Sequence, residues 1–195
     1  MRIIKNRLEG IPFIPTPNFG GEIKPISIII HYSAEIKTKN VINWFKDKTS
    51  GVSAHLILDR DGSLTQMVDF NIKAWHAGAS EYKSLKHFNN FSIGIELINA
   101  GQLFKNGNDY HGWRGEVYPP EEVFIKTYGD ECSIVSYWHK YTPKQLQTLT
   151  LLVKELMQTY SIKASMILGH EEIAPDRKSD PGAALDMNSF RQNLI

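Results

Sequence analysis

The sequence predicts an α/β fold: a single domain in which a central mixed β-sheet is flanked by α-helices. Two continuous apolar stretches, at residues 26–31 (ISIIIH) and 91–99 (FSIGIELIN), are typical of strands that are buried on both faces. A third stretch, residues 143–160, repeats its apolar residues with a helical period, as expected for a helix that packs on a sheet. At 195 residues the chain is long enough for one such domain with a substantial core.

The elements before the second of these strands can be predicted in chain order. Residues 1–25 contain four prolines and are predicted to form an extended N-terminal arm, with the main domain at 26–195. Residues 38–49 carry apolar side chains at helical spacing, and Gly51 marks the end of that helix. Residues 53–68 are predicted to form two strands joined at an Asp-Gly pair, which favours a hairpin turn.

The second half of the chain begins with a segment that has no regular period. Residues 101–141 are rich in Gly, Pro and aromatic residues and are too long for a simple connection, so we predict an ordered insertion with a functional role. The long helix that follows should begin at a capping box in which Thr142 is the cap and Gln145 completes the box. A short strand at 166–170 and a terminal helix at 187–194 complete the predicted domain.

Composition and charge exclude several classes of protein. The net charge is +1 with acidic and basic residues intermixed, so no nucleic-acid partner is expected. Cys132 is the sole cysteine, which excludes an internal disulfide. No stretch approaches the ~20 apolar residues of a membrane span, and the N-terminus lacks the apolar core of a signal peptide. We therefore expect a cytoplasmic monomer or, alternatively, a protein released to the cell wall by phage lysis or specialised secretion.

Three polar residues lie where predicted strands end or where the following loop closes. His31 ends the first buried strand, His170 ends the last, and Asp180 closes the loop after His170. Two imidazoles and one carboxylate are a familiar ligand set for catalytic zinc, which keeps a fourth position for water or substrate. The alternative is that each histidine is a hydrogen-bonded structural residue, since the chain has seven histidines.

Glu96 and Lys178 are the candidates for acid–base and electrostatic roles. Glu96 lies within a predicted core strand, where an unpaired charge is costly. It is therefore either a general base that faces a cleft or an acid paired with a buried Arg or Lys. Lys178 lies two residues before Asp180 and could stabilise an oxyanion, although a surface lysine needs no such role.

Six segments, taken together, resemble one family. They are IIIHYSA, VSAHLILDRDGSLTQMV, KAWHAGAS, NNFSIGIELIN, YTPKQLQTL and ILGHEEIAPDRKSDPG, and they occur in order between residues 26 and 190. They resemble the zinc-dependent N-acetylmuramoyl-L-alanine amidases of type 2, the AmpD-like amidases, whose fold is shared with the peptidoglycan recognition proteins. The resemblance implies Zn2+ as the cofactor. It also implies hydrolysis of the amide between N-acetylmuramic acid and L-Ala in peptidoglycan or muropeptide fragments.

The same resemblance implies roles for individual residues. The implied zinc ligands are His31, His170 and Asp180. The implied catalytic pair is Glu96 and Lys178. The residues implied to lie near the substrate are Trp75, His76 and Asn90. Some lysins of the wider family have a cysteine as third ligand, whereas this chain has an aspartate, as in the AmpD-like set.

Two other functions are open to a chain with this pattern. A protein of this fold can bind peptidoglycan without cutting it, but such proteins usually lack part of the zinc set, which is complete here. The same site could also cut a bond within the stem peptide, although the resemblance weighs against it.

The remaining histidines and two loop acids are predicted to have lesser roles. His55 is expected to support the sheet or a ligand. His76 could contact a sugar together with Trp75, or could pack in an aromatic corner. Surface positions are expected for His87, His111, His139, Glu171 and Glu172.

Overall fold

The computed structural model describes residues 1–129 and 134–195, so Cys132 lies outside the described residues. The strands are β1 (Ile3–Ile4), β2 (Arg7–Leu8), β3 (Phe19–Glu22), β4 (Ser27–Tyr32), β5 (Leu56–Leu58), β6 (Leu64–Gln66), β7 (Ile72–Ala74), β8 (Glu81–Tyr82), β9 (Leu85–Lys86), β10 (Ser92–Leu97), β11 (Gln102–Asn106), β12 (Asp109–His111), β13 (Val117–Tyr118), β14 (Val123–Tyr128), β15 (Ile134–His139) and β16 (Ile167–Gly169). The α-helices are α1 (Thr38–Lys46), α2 (Pro143–Tyr160), α3 (His170–Ile173) and α4 (Met187–Gln192). Short 3-10 helices span Lys48–Ser50, Phe88–Asn90, Pro120–Glu122 and Ala164–Met166. None of the helices in the described part of the chain has the length and apolar character needed to cross a bilayer.

The central sheet is mixed, as the sequence predicts. Its strand order is β16-β4-β10-β5-β6, in which the first four strands run parallel and β6 is antiparallel to β5. Both predicted core strands, β4 and β10, lie inside this sheet. The isoleucines at 28–30 of β4 are fully buried, which agrees with a strand covered on both faces. The predicted α/β class is therefore confirmed.

Helix α2 covers one face of the central sheet. Its residues Leu149 and Leu156 are fully buried in one core with alternate residues of β4 and β10, including Ile30. Burying a leucine side chain contributes roughly 1.5–3 kcal/mol, so this contact holds the sheet and the helix together. Because successive residues of a strand point to opposite faces, His31 and Glu96 face away from α2.

The start of α2 differs from the prediction in one respect. Thr142 Oγ1 accepts a hydrogen bond from the Gln145 N–H at 3.0 Å, as a cap should. The side-chain amide of Gln145 instead donates to the carbonyl oxygens of Leu58 and Ile98, at 3.1 Å each. The predicted capping box is therefore wrong, because this fully buried side chain ties the helix to the ends of β5 and β10.

The predicted hairpin and first helix are confirmed close to their expected bounds. Strands β5 and β6 pair antiparallel across a turn in which Gly62 has a φ of 86°, a conformation that glycine adopts without strain. Helix α1 ends at Lys46 rather than at residue 49. The following residues tighten into a 3-10 turn, which Asp47 caps by accepting from the Thr49 N–H at 2.8 Å.

Most of residues 101–141 form a second sheet. Its strands are antiparallel in the order β13-β12-β11-β15-β14. One side of this sheet buries a small core of its own that includes Leu103, Tyr110 and Val123. The sheet joins the rest of the domain at His139, whose carbonyl accepts from the side-chain amide of Asn99, just after β10, at 3.0 Å.

Residues 1–25 run along the outside of the domain. Strands β1 and β2 form a hairpin, and β3 pairs with β7. Leu8 of β2 is buried, and its N–H donates to Gln66 Oε1 of β6 at 2.9 Å. These contacts attach the N-terminal segment to the edge of the central sheet.

Candidate metal centre and cleft

The candidate site lies at the carboxyl ends of three adjacent parallel strands. His31 of β4 and Glu96 of β10 are direct neighbours in the register. On the other side of β4, Gly169 of β16 pairs with Ile30, which brings the next residue, His170, level with His31. The register therefore places His170, His31 and Glu96 in one row.

His31, His170 and Asp180 converge on one another. Nδ1 of His31 lies 2.9 Å from Nδ1 of His170 and 2.8 Å from Oδ2 of Asp180. Nδ1 of His170 lies 3.0 Å from the same carboxylate oxygen. All three residues are buried and their candidate ligand atoms lie within 4.8 Å of one another, so the group could hold a metal ion.

The loop after His170 returns Asp180 to the same point. The chain turns back where the carbonyl of Ala174 accepts from the Lys178 N–H at 2.9 Å. The Glu171 N–H donates to the carbonyl of Asp180 at 2.8 Å, which closes the loop against the start of α3. The chain between His170 and Asp180 thus forms a loop that returns to its starting point, which accounts for their ten-residue separation.

The charge state of the three residues is suited to binding a cation. Burial favours a higher pKa for Asp180, but contacts with His170 and His31 outweigh it and hold the pKa below its ordinary value. Burial lowers the pKa of His31, against the opposing effect of Asp180. An ionised carboxylate beside a neutral imidazole is the protonation state that a metal ion requires of its ligands.

Glu96 faces the cleft rather than a buried cation. The residue is 9% exposed, and it takes part in none of the ion pairs formed within the described residues. Burial raises its pKa to about 8, with the Asp180 charge acting in the same direction and Lys178 opposing it. A carboxyl group with a pKa near neutrality is suited to take up and release a proton.

The row of side chains opens into a cleft of about 570 Å³. This volume lies within the range of roughly 300–1,000 Å³ found for small-molecule sites. Trp75 and Lys178 line the cleft, as does the half-exposed Trp44 of α1. Of the eight residues predicted for the site, all line the cleft except Asn90, which is exposed at the end of a 3-10 helix.

The structure also brings in residues that sequence reasoning missed. Asn89, next to the exposed Asn90, accepts at Oδ1 from the N–H groups of His76 and Ala77, at 3.0 and 2.7 Å. Arg177 donates to the carbonyl of Ala77 at 2.9 Å, which ties the Asp180 loop to this turn. In the sequence, nothing distinguishes Asn89 from its neighbour, because its partners lie more than ten residues away.

The second sheet reaches the cleft through Arg114. Its guanidinium pairs with the carboxylate of Glu35 at 3.0 Å, and both residues line the cleft. The Glu35 carboxylate is only 7% exposed and also accepts from the N–H groups of Ile36 and Lys37, at 2.8 and 2.9 Å. This pair therefore fixes the cleft rim where the two sheets approach each other.

Four residues predicted at the surface are buried or half-buried. His139 is 1% exposed. Its ring nitrogens pair with the Ala100 N–H and with the Glu122 carboxylate. Glu172 is half-buried, where it accepts from the Gly169 N–H at 2.8 Å and pairs with Arg191 at 2.8 Å. Glu171 is also half-buried, and burial raises its pKa to about 7. The surface prediction is therefore wrong for these three and for the half-buried His111, whereas His87 is exposed as predicted.

His55 supports the sheet, as predicted. Its Nδ1 accepts from the Gly94 N–H at 3.0 Å and its Nε2 donates to the carbonyl of Ile72 at 2.8 Å. Burial lowers the pKa of this histidine to about 4, so it is neutral near pH 7. Both nitrogens are occupied, and His55 ties β10 to β7.

Comparison with known proteins gives a consistent result. The family model described as N-acetylmuramoyl-L-alanine amidase matches residues 22–183. The 1,6-anhydro-N-acetylmuramyl-L-alanine amidase AmpD of Escherichia coli (strain K12) is 35% identical over 140 residues, which make up 72% of this chain and 57% of that protein. The chain thus spans less than two thirds of the length of this relative.

Solved structures show the same similarity. A crystal structure of a selenomethionine derivative of AmpD matches with a TM-score of 0.72 and 26% identity, covering 100% of both chains. The amidase AmiD from E. coli, in complex with anhydro-N-acetylmuramic acid-L-Ala-D-gamma-Glu-L-Lys, matches with a TM-score of 0.66 and 27% identity. That match covers 90% of this chain and 59% of AmiD.

Proposed function

The chain belongs to the N-acetylmuramoyl-L-alanine amidase family, and from this premise we propose that it is a zinc-dependent amidase. The bond cut in this proposal joins the lactyl group of N-acetylmuramic acid to the first L-Ala of a stem peptide. The observation that carries the proposal is the convergence of His31, His170 and Asp180 beside Glu96 in one cleft.

The chemistry of the three converging residues fits zinc. His31 and His170 would hold the ion through Nδ1, and Asp180 through Oδ2, which are the donor types that zinc accepts in catalytic sites. When bound, zinc supplies a Lewis acid that polarises a carbonyl and lowers the pKa of water to about 7.

Glu96 and Lys178 would carry the remaining steps. Glu96 takes a proton from the attacking water and returns it to the departing nitrogen of L-Ala. Its pKa, raised to about 8 by burial, allows both steps near neutral pH. Lys178 is close enough for its charge to lower the pKa of Glu96, and its ammonium group would stabilise the oxyanion formed from the carbonyl.

The proposed substrate is a muropeptide that carries a short stem peptide. The AmpD relative is named for 1,6-anhydro-N-acetylmuramyl-L-alanine, and the AmiD structure holds an anhydro-muramyl tripeptide. Trp75 and Trp44 both line the cleft and offer aromatic surface for the sugar or the peptide. We propose action on soluble muropeptides as a cytoplasmic monomer, with intact peptidoglycan at the cell wall as the alternative.

Digestion of defined substrates tests this function. Zinc-loaded protein is incubated with anhydro-muramyl tripeptide and, separately, with intact sacculi, and the products are identified by mass spectrometry. We expect release of a peptide with a free L-Ala amine. Glu96→Gln should keep its zinc and lose about 10²–10⁴-fold in kcat, since the general base is removed. Glu122→Gln, which changes an acid outside the cleft, is the matched control and should retain activity.

Three other outcomes would contradict the proposal. Binding of muropeptide without cleavage would indicate a peptidoglycan-binding module. Products cut within the stem peptide would indicate a peptidase. Full activity after complete removal of metal by a chelator would exclude the zinc mechanism.

A further inference from the structure

The outer nitrogens of the two candidate ligand histidines both contact the same short turn. Nε2 of His170 lies 3.1 Å from the carbonyl oxygen of Ala77, and Nε2 of His31 lies 3.0 Å from Nδ1 of His76. Residues 76 and 77 are adjacent in the chain, and we call them the 76–77 strap. One dipeptide thus contacts both candidate ligands on the side away from Asp180.

The contact with Ala77 determines where His170 carries its proton. A carbonyl oxygen can only accept a hydrogen bond, so Nε2 of His170 must be the donor. In a neutral imidazole the other nitrogen then carries a lone pair. Nδ1 of His170, which faces His31 and Asp180, is therefore in the form that binds a metal ion.

The proton of His31 is determined by a longer chain of hydrogen bonds that starts at another carbonyl. Ser92 Oγ donates to the carbonyl oxygen of Phe88 at 2.5 Å, so its lone pairs are free to accept from Nε2 of His76 at 3.2 Å. Nδ1 of His76 is then an acceptor, and Nε2 of His31 must donate to it. Nδ1 of His31 is therefore left with its lone pair directed at Asp180 and His170.

Two features hold the strap in place. Asn89 Oδ1 accepts from the main-chain N–H groups of His76 and Ala77, at 3.0 and 2.7 Å. The His76 ring lies directly over Gly94 of β10, where an added Cβ would come within 2.5 Å of the ring. Glycine at 94 and asparagine at 89 are therefore what allow the strap to approach the metal centre so closely.

We propose that the 76–77 strap, through Ser92 and the carbonyls of Phe88 and Ala77, sets the tautomers of both candidate ligand histidines. The inference rests on the proposed metal role of His31 and His170. It makes His76 a positioning residue that acts through His31, in place of the substrate contact that the sequence predicted. Partners of this kind orient metal-bound histidines and raise metal affinity.

The tautomers can be read directly in the metal-free protein. Two-bond ¹H–¹⁵N correlation spectra, recorded above the pH range in which histidine protonates, distinguish Nε2–H from Nδ1–H imidazoles. We expect the Nε2–H form for His31, His76 and His170, each assigned by its own substitution. Ser92→Ala should convert His76 and His31 to mixed tautomers while leaving His170 unchanged. A wild-type spectrum with Nδ1–H at His31 or His76 would overturn the proposal.

Zinc affinity, measured by competition with a chelator, provides a second readout. His76→Asn keeps an acceptor oxygen near the position of Nδ1, whereas His76→Leu fills similar space without one. We expect His76→Leu to bind zinc about 10- to 100-fold more weakly than the wild type and His76→Asn to recover most of that loss. The control is His87→Asn, at an exposed residue with a φ of 60° that asparagine tolerates, and it should bind zinc normally.

The outcomes separate this inference from the proposed function. Zinc binding by the wild type with equal affinity in His76→Leu would refute the role of the strap and leave the amidase proposal standing. A wild type that binds no zinc would refute the metal site, while the spectra would still report the tautomers. Thermal unfolding of the metal-free variants checks that each one folds. If His76→Leu does not fold, the Ser92→Ala spectra carry the test, and unchanged Nε2–H tautomers at His76 and His31 in that variant would refute the role of the strap.

Discussion

Two regions of this protein bury a histidine beside an acid, and they differ in how the polar atoms are paired. At the junction of the two sheets, Nδ1 of His139 accepts from the Ala100 N–H and its Nε2 donates to Glu122, each at 3.1 Å. In the cleft, Nδ1 of His31 lies within 3 Å of another Nδ1 and of the Asp180 carboxylate.

The difference is one of complementarity rather than of residue type or burial. The junction matches each acceptor with a donor, so it is satisfied by the protein alone. With the tautomers proposed above, the cleft directs acceptors at acceptors, which costs free energy unless a cation joins them. Buried histidines and acids therefore indicate a functional site only when their hydrogen-bonding capacity is left unmatched.

The largest effect is expected from removing the Asp180 carboxylate of the cleft. Asp180→Ala should abolish stoichiometric zinc binding and lower kcat/KM by about 10³-fold or more, since a metal Lewis acid contributes several kcal/mol to catalysis. Metal analysis and muropeptide digestion measure the two effects. A variant that kept one zinc per chain and wild-type kcat/KM would remove the proposed distinction between the two regions.

Glu96 sharpens the comparison through the pH dependence of stability. Burial raises its pKa to about 8, so between pH values near 4.5 and 8 the folded chain binds more protons here than the unfolded chain does. The free energy of unfolding of the metal-free protein should therefore fall as pH rises through this window. The loss is on the order of 1.4 kcal/mol for each unit by which the pKa is raised.

The Glu96→Gln variant isolates this contribution. Its metal-free form should match the wild type at acid pH and exceed it in stability near pH 8, as measured by urea unfolding. An equal difference in the free energy of unfolding at both pH values would show that the charge of Glu96 is not what destabilises the folded chain.

Much of the cleft could be predicted from the sequence because its residues lie on two apolar strands. The stretches that form β4 and β10 carry a single polar residue each near their carboxyl ends, namely His31 and Glu96. Apolar runs indicate burial, and parallel strands present their carboxyl ends at one edge. The role of the loop that returns Asp180 came from the family resemblance, since spacing alone did not establish it.

The junction could not be predicted, because its contacts cross the chain without a local pattern. His139 lies in a segment with no regular period, and its partners Ala100 and Arg60 are 39 and 79 residues away. Gln145 was predicted to complete a helix cap, but its long side chain instead meets two strand carbonyls. Long polar side chains have several possible partners, and tertiary structure decides which one they bond to.

Removing the junction histidine should affect stability without affecting metal binding. His139→Leu leaves the buried Ala100 N–H without its acceptor, which should lower the free energy of unfolding by about 1–3 kcal/mol. Zinc affinity should remain that of the wild type, and both quantities can be measured on the same preparation. A loss of zinc binding comparable to that of Asp180→Ala would show that the two regions are coupled.

The smallest effect is expected at Glu122, and its size depends on pH. Burial lowers the pKa of His139 to about 4 and the charge of Arg60 adds to this, while Glu122 opposes them. Because the unfolded chain takes up a proton at this histidine near pH 6.5, stability falls as the pH drops from about 6.5 to about 4.

Glu122→Gln keeps an oxygen that can accept from Nε2 but removes the charge, so the pKa of His139 should fall further. At pH 7 the change should be below about 1 kcal/mol, since the acid is 44% exposed, and it should grow only as the pH falls to about 4. Equal destabilisation at both pH values in urea unfolding would mean that Glu122 acts on the junction through packing rather than through its charge.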